Sequence, residues 1–426
     1  MKKKDRNICL AYADGAGNVW DLPGVEPAFR TGRRFLPVDG ISLIPLPYGS
    51  YLFSLPGRYP ACYNRRMKDF RHVEVSPHGE EITAASAFLA SAYLRTYLPA
   101  FVRRDDAPVL PMWAYAGLAL RDGRFMVPAI RIDEDTRSDP AIHENEKELR
   151  DAVNRVAGEM PGNRLVRQLV RCSTEYRCLC ARNFFLGRFE APVPTTPACN
   201  ASCIGCLSGQ EDGSPFPPSQ PRLEFAPTED EIAGVILRHI ESVDGAVASF
   251  GQGCEGEPLL RARDLAGAIR MVREKTDRGT INCNTNGSLP GAVRELARAG
   301  LDSIRISLSS PTAKYYERYH RPSGYTFDDV LRSLDVALEA GLFVSINLFF
   351  LPGFTDSEKE AASLEAFLAR FPVAMLQTRN HNIDPDYYLE EIGFEESDPL
   401  GIEELLARVR ERHGTMRIGY YNPPLR

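Results

Sequence analysis

Three cysteines fall within eight residues, in the segment Cys199-Asn-Ala-Ser-Cys203-Ile-Gly-Cys206. The run before them carries Pro192, Pro194 and Pro197 and cannot be helix, because proline lacks a backbone donor and clashes with the preceding turn. The stretch is therefore a loop able to wrap one face of a metal centre. Thiolates select soft or borderline metals, and three of them leave a four-coordinate zinc or a four-iron cluster one ligand short. That open position is where chemistry could happen. Two readings compete: an iron–sulfur site with an exchangeable fourth ligand, and a structural zinc knuckle completed from elsewhere. Zinc sites come more often as paired CxxC units, and no CxxC pair or HxxxH partner follows here.

The elements that must position such a loop show a regular rhythm. From Ala191 onward, short apolar runs alternate with amphipathic helical segments, the pattern of consecutive βα units around a parallel sheet. Strands are expected over Ala191 to Thr196, Ala246 to Phe250, Thr280 to Asn284, Ser303 to Leu308, Leu342 to Phe350 and Val373 to Gln377. Between them, Thr228 and Glu231 make a capping box ahead of Ile232, Val235, Ile236 and Ile240. Further helices carry Leu265, Ile269 and Val272, then Val293 and Leu296 closed by Gly300, then Phe327 to Ala340 ending at Gly341, and last Leu364, Phe367 and Leu368. Six strands alternating with helices predict an α/β fold: a partial (β/α)6 TIM-type barrel with its site at the C-terminal strand ends.

Those strand ends carry small or polar residues. The loop after the second strand reads Gly251-Gln252-Gly253-Cys254-Glu255-Gly256-Glu257-Pro258. Taken alone, Glu257 is a solvated acid in a tight Gly/Pro turn. The third strand ends in Asn284-Thr285-Asn286-Gly287, and the fourth carries Ser307 followed by Ser309 and Ser310. Asn347 brings a side-chain amide into the apolar fifth strand, as a ligand contact or as a satisfied core residue. Gln377, Arg379, Asn380 and His381 close the sixth. Arg379 suits a bidentate pair with a carboxylate, or is a surface residue.

The cysteine spacing and this ordered series resemble the radical S-adenosylmethionine (SAM) superfamily over about Ala191 to His381. The resemblance implies that Cys199, Cys203 and Cys206 hold three irons of a [4Fe-4S] cluster, with the amino and carboxylate groups of SAM on the fourth. It implies that Gly256 and Glu257 contact the SAM amino group, in a motif resembling Gly-Gly-Glu-Pro with Glu255 in place of the first glycine. Thr285, Asn286, Ser307 and Ser309 would lie against SAM, Asn347 against its ribose or the substrate, and Arg379 against its carboxylate or the substrate. Gly205 stands where the family usually has an aromatic or large apolar residue whose backbone contacts adenine. The implied chemistry is reductive cleavage of SAM by the cluster, giving methionine and a 5′-deoxyadenosyl radical that abstracts hydrogen from a substrate. The substrate would be an unidentified small molecule or peptide, and the electron donor a flavodoxin or ferredoxin. The rival from another class is a zinc-stabilised binding protein with a structural three-cysteine site and no radical chemistry.

Seven further cysteines remain. Cys172, Cys178 and Cys180 form a Cys-x5-Cys-x-Cys array, read either as ligands of an auxiliary cluster with a fourth ligand elsewhere or as small buried hydrophobes. Cys254 lies beside the expected cofactor pocket, as a hydrogen donor, a group acceptor or a packing residue.

Residues 1–190 break the βα rhythm. Proline and glycine punctuate them, β-type runs cover Ile41 to Leu46 and Ser50 to Leu55, and helices are expected over about Ile82 to Thr96 and Glu144 to Leu169. We expect an N-terminal α+β lobe over 1–190, a core barrel over 191–381 and a short C-terminal extension over 382–426, the lobe supplying substrate contacts. At 426 residues, 43% hydrophobic and 25% charged, the chain has the composition of an ordinary globular protein. The opening Met1-Lys2-Lys3-Lys4 is followed by Asp5 and Arg6 where a signal peptide needs an apolar core, and no apolar run reaches membrane-spanning length. These features, with cysteines bunched for metal use, predict a cytoplasmic protein without membrane contact. A net charge of −6 gives no overall pull toward nucleic acid, although Arg318, His320 and Arg321 could form a local basic patch.

Overall fold

Proline and glycine at Pro161 and Gly162 split the single helix expected over Glu144 to Leu169 into two. In the computed structural model, which describes residues 8–426, these are α1 (Glu146–Glu159), capped by Asn145, and α2 (Arg164–Thr174), capped by Asn163. The lysine-rich opening Met1 to Arg6 lies outside the described residues. A third helix, α3 (Leu179–Leu186), begins at Cys178 and ends at Gly187 in the left-handed conformation.

The βα rhythm then runs as expected: β1 (Glu190–Pro192), α4 (Glu229–Ser242), β2 (Val247–Phe250), α5 (Ala262–Arg273), β3 (Thr280–Thr285), α6 (Pro290–Ala299), β4 (Ser303–Leu308), α7 (Ala313–His320), α8 (Phe327–Glu339), β5 (Phe343–Phe350), α9 (Glu358–Arg370) and β6 (Met375–Asn380). The Thr228–Glu231 capping box is present at α4, and the same Glu231 pairs with Arg164 at the start of α2. After α10 (Pro385–Glu391) and α11 (Ile402–Arg412) comes β7 (Arg417–Gly419), which pairs in parallel with β6, Met375 opposite Arg417. The sheet order is β1 to β7 in sequence, so the predicted six-stranded partial barrel gains a seventh strand from the expected extension. Three residues are too few to show a period, which is why β7 is silent in the sequence.

By internal contacts the chain divides into two units. One holds Pro140–Leu348, Phe367–Gln377 and Thr415–Arg426, and with them most of the parallel sheet. The other joins the described residues up to Asp139 with Phe349–Ala366 and Thr378–Gly414. It is sheet-rich, as expected, but the helix expected over about Ile82 to Thr96 is absent. Thr83–Phe88 is instead a strand between Ile8–Ala13 and Tyr51–Leu55, and Tyr93–Arg95 is another. Alanine favours helix in isolation, yet Ala85 and Ala87 pack here with Ala11, Ala13 and Ala116, where a close sheet contact needs small side chains. The strand expected over Ile41 to Leu46 shrinks to Ile44–Pro45.

Late segments are stitched to early ones within this unit. Arg58 and Asp384 form an ion pair at 2.8 Å with both side chains at most 1% exposed, and the Leu110 amide also donates to Asp384. Arg95 donates through its main chain to the Asn380 side chain and through its guanidinium to the carbonyls of Tyr115 and His381. Desolvated charges of this kind are held by their partners, and removing one partner costs several kcal/mol, about 3–5. Among the described residues no helix is long and apolar enough to cross a membrane.

Candidate functional site

Alternation along the strands sorts residues onto two faces. Ile281, Ile304, Ile306, Val344 and Ile346 are fully or almost fully buried on one, and Ile306 meets Val330 of α8 around Gly287. The other face, inside the curve, is polar. Ser249, Asn282 and Ser303 lie in register across β2, β3 and β4, and Asn284, Arg305 and Ser345 follow across β3, β4 and β5. Barrel interiors are ordinarily filled by branched apolar side chains, so this lining is a departure that asks for polar partners.

Most of those partners are internal. Ser249 and Asn422 both donate to the Glu190 carboxylate. Asn282 donates to Ser249 and to Asn284, and Ser303 donates to Asn282. Arg305 donates to Gln377, which donates to Asn422 and closes the circuit.

The cysteine loop is seated by its neighbours on both sides. Its amides at Ser202 and Ile204 donate to the carbonyls of His320 and Tyr319 at the end of α7, and the Ser323 amide donates to the Asn200 carbonyl. Asn200 exchanges side-chain bonds with Asn286 and Ser288 beyond β3. Around the sulfurs, His320 Nδ1 lies 3.4 Å from Cys203 Sγ, and Arg222 donates to Cys206 Sγ at 3.5 Å. A side chain at Gly205 would sit 2.9 Å from the Tyr319 hydroxyl, so the glycine permits a close approach that an aromatic residue would block. Burial pushes the Cys203 thiol well above its usual pKa, a penalty that a bound cation's charge relieves.

The loop after β2 is locked to the approach of the cysteine loop. The amides of Gly256 and Glu257 donate to the carbonyls of Thr196 and Ala198, just ahead of Cys199. A Cβ at Gly256 would lie 1.8 Å from the Ala198 oxygen, so only glycine fits. Glu255, the residue in place of the motif's first glycine, is a tie: one oxygen accepts from Gly251 and Gln252, the other from both Thr195 donors and the Thr196 amide. Glu257 accepts from the Leu259 amide, the Thr285 hydroxyl and the Asn286 amide. Burial raises its pKa from 4.5 to about 7, against the pull of those donors.

Cys199, Cys203, Cys206, Gly256, Glu257, Thr285 and Asn286 thus belong to one bonded assembly with Asn200. Ser307 stands opposite Asn347 in the β4–β5 register. Ser309, just beyond β4, is 1% exposed, and neither its hydroxyl nor the Asn347 Oδ1 atom has a hydrogen-bond partner among the described residues. Arg379, half-buried near the end of β6, lies in the other unit. The basic patch considered around Arg318, His320 and Arg321 does not include His320. Its ring is buried against Tyr316, and desolvation lowers its pKa to about 3, so it is neutral.

Asn200, Arg222, Tyr319 and His320 were not marked as site residues in the sequence. The helical spacing of Tyr315, Tyr316 and Tyr319 was the available signal for α7, and the position of Asn200 inside the cysteine loop was another.

The model of the radical SAM superfamily matches residues 193–364. Those residues form a radical SAM domain. The resemblance carried by the cysteine spacing is borne out, and the family's cofactors are a [4Fe-4S] cluster and SAM. The domain is 29% identical over 168 residues to the probable GTP 3′,8-cyclase of Aeropyrum pernix, covering 39% of this chain and 44% of that one. The chain is 27% identical over 231 residues to the probable GTP 3′,8-cyclase of Methanosarcina mazei, covering 52% of this chain and 63% of that one. The chain therefore spans about half the length of the curated relatives it matches. Among solved structures, the FeFe-hydrogenase maturase HydG from Carboxydothermus hydrogenoformans is similar at a TM-score of 0.39 and 14% identity, over 65% of this chain and 70% of that one.

The residues present fit the cofactors of the radical SAM domain. Three soft ligands leave one coordination position open, and Gly256 lets the loop after β2 close on the Ala198 carbonyl beside them. A buried carboxylate is available for an ammonium, and two buried polar atoms, on Ser309 and Asn347, have no partner among the described residues, and a bound molecule can supply one.

Proposed function

We propose that this chain is a radical SAM enzyme, with Cys199, Cys203 and Cys206 as ligands of a [4Fe-4S] cluster and with SAM bound across the strand ends. The observation that carries the reading is the pair of backbone bonds from Gly256 and Glu257 to Thr196 and Ala198, which join the motif that would hold the SAM amino group to the loop that would hold the cluster. When bound, the cluster and SAM supply reductive cleavage of the sulfonium and a 5′-deoxyadenosyl radical for hydrogen abstraction.

The chain's own part is to bind and orient. Glu257 takes the ammonium, its Thr285 and Asn286 donors fixing the carboxylate plane. Asn286 and Ser288 hold Asn200 and so the pitch of the cysteine loop. Gly205 offers its backbone to adenine, and Ser307, Ser309 and Asn347 offer short neutral groups to the ribose and carboxylate. The substrate is a small molecule or peptide, with electrons from a flavodoxin or ferredoxin. The GTP 3′,8-cyclase relatives favour a nucleotide as the first molecule to try.

Anaerobic reconstitution tests this reading. The protein is expected to take up about four irons and four sulfides at these cysteines and to release 5′-deoxyadenosine with SAM and dithionite. Replacing Cys199, Cys203 and Cys206 together with alanine abolishes that release. A colourless protein with one zinc and no 5′-deoxyadenosine would instead support the zinc-stabilised binding protein.

A further inference from the structure

Two side-chain nitrogens, from two segments outside the cysteine loop, are aimed at its sulfurs. His320 closes α7, and its Nδ1 atom lies 3.4 Å from Cys203 Sγ. Arg222, between the loop and α4, donates to Cys206 Sγ at 3.5 Å and to the Ser208 hydroxyl. Both side chains are held in place. The His320 ring is 2% exposed and stacks on Tyr316 at 4.1 Å, and the Tyr316 hydroxyl donates to the Asn286 carbonyl. A Cβ at Gly209 would lie 2.1 Å from an Arg222 guanidinium nitrogen, so that glycine makes the room in which the side chain sits.

The surroundings choose the His320 tautomer. A neutral imidazole carries one N–H. Placed on Nε2 it would be buried facing no acceptor, since that atom has no hydrogen-bond partner among the described residues. Placed on Nδ1 it meets sulfur, and a metal-bound thiolate has no proton of its own and can only accept. Arg222 brings a positive charge with its N–H, and no carboxylate pairs with it among the described residues. Packing alone does not ask for these atoms, because a phenylalanine ring would stack on Tyr316 as well as the His320 ring does.

We propose that His320, through Cys203, and Arg222, through Cys206, raise the reduction potential of the [4Fe-4S] cluster. The inference rests on the cluster reading above and adds how this chain eases the entry of the electron. One electron comes from an external one-electron donor and adds one negative charge to the iron–sulfur unit; no bond breaks, and both residues keep their protons. Contacts from an N–H and from a cation strengthen as charge on the sulfurs grows, so both favour the reduced form.

The test uses the full chain, reconstituted anaerobically with iron and sulfide, with iron counted and the midpoint potential read by EPR in a redox titration without SAM. His320→Phe keeps a ring against Tyr316 and removes the donor. Arg222→Met keeps the length and removes donor and charge, whereas Arg222→Lys keeps the charge. Each variant should hold the wild-type iron count. Reduction should become about tenfold less favourable in His320→Phe, a fall of about 59 mV for one electron, with a larger fall in Arg222→Met and a smaller one in Arg222→Lys. Gly209→Ala, whose methyl group displaces the flexible end of Arg222, should lower the potential with Arg222 still present. Wild-type potentials in iron-replete His320→Phe and Arg222→Met overturn this proposal and leave the proposed function standing. So does a His320→Phe protein that loses its iron while Arg222→Met and Gly209→Ala keep the wild-type potential, since that is a structural role. A wild type that takes up no iron overturns both.

Discussion

The inner face of the sheet holds two kinds of buried polar group. From Glu190 through Ser249, Asn282 and Ser303, and from Arg305 through Gln377 to Asn422, donors and acceptors are matched to one another. Near the C-terminal ends of β4 and β5, Ser309 and Asn347 each keep an atom without a partner among the described residues. What separates the two sets is that members of the first are joined side chain to side chain. A closed circuit serves the fold, because each member satisfies another. An open one bears an unmet desolvation cost until a ligand arrives.

Several substitutions can break that comparison. The largest effect is expected from Gly256→Ala, whose new methyl group would strike the Ala198 carbonyl and separate the cysteine loop from the β2 loop. Iron uptake and SAM binding should both fall, with a stability loss of several kcal/mol, about 3 or more. Normal uptake at unchanged melting temperature would show that the seat is looser than drawn. Asn282→Ala opens the closed circuit and should cost about 2–3 kcal/mol in chemical denaturation while SAM affinity stays within a few-fold. Glu257→Ala acts on the other side of the comparison: SAM affinity, read by calorimetry, should drop by about 1.5–3 kcal/mol through loss of a charged contact. Undiminished affinity would remove Glu257 from the site.

A pH series sharpens the point. The Glu257 pKa is raised by burial from 4.5 to about 7, so without ligand the folded state holds a proton there that the unfolded chain releases. Its contribution to stability is therefore greatest below pH 4.5 and declines as pH rises to about 7, whereas affinity for an ammonium rises over the same window as the carboxylate ionises. Melting curves and SAM titrations between pH 5 and 8 should move in opposite directions, and Glu257→Gln should flatten both. The smallest effect belongs to Asn347→Ala, which removes an unsatisfied atom. SAM affinity should weaken by about 1 kcal/mol with the melting temperature unchanged or higher. A clear drop in stability would place Asn347 in the closed set.

What was legible in the sequence was local. The Thr228–Glu231 box, the Gly300 stop and the cysteine spacing are written within a few residues, and each appears where it was read. The closed circuit could not be read, because it depends on register between strands far apart in sequence, and Gln377 meets Asn422 only once β7 has paired. Ile82 to Thr96 misled for the opposite reason: its alanines signal helix locally, and the demand for small side chains comes from the neighbouring strands. Glu255 looked like a defect in a glycine motif. It is a five-donor tie whose partners at Thr195 and Thr196 lie sixty and fifty-nine residues away.

The Arg58–Asp384 pair sets a timetable for synthesis. Arg58 leaves the ribosome 326 residues before its carboxylate exists. At about 5–20 residues per second, that is a wait of roughly 16–65 s. During that interval the early strands lack the Asp384 carboxylate, and the Asn380 amide that Arg95 engages comes almost as late. Until Asp384 emerges, the early strands carry a guanidinium without its carboxylate. Slowing translation should lengthen that exposure, and a stop codon placed before Asp384 should leave the amino-terminal sheets open to proteolysis.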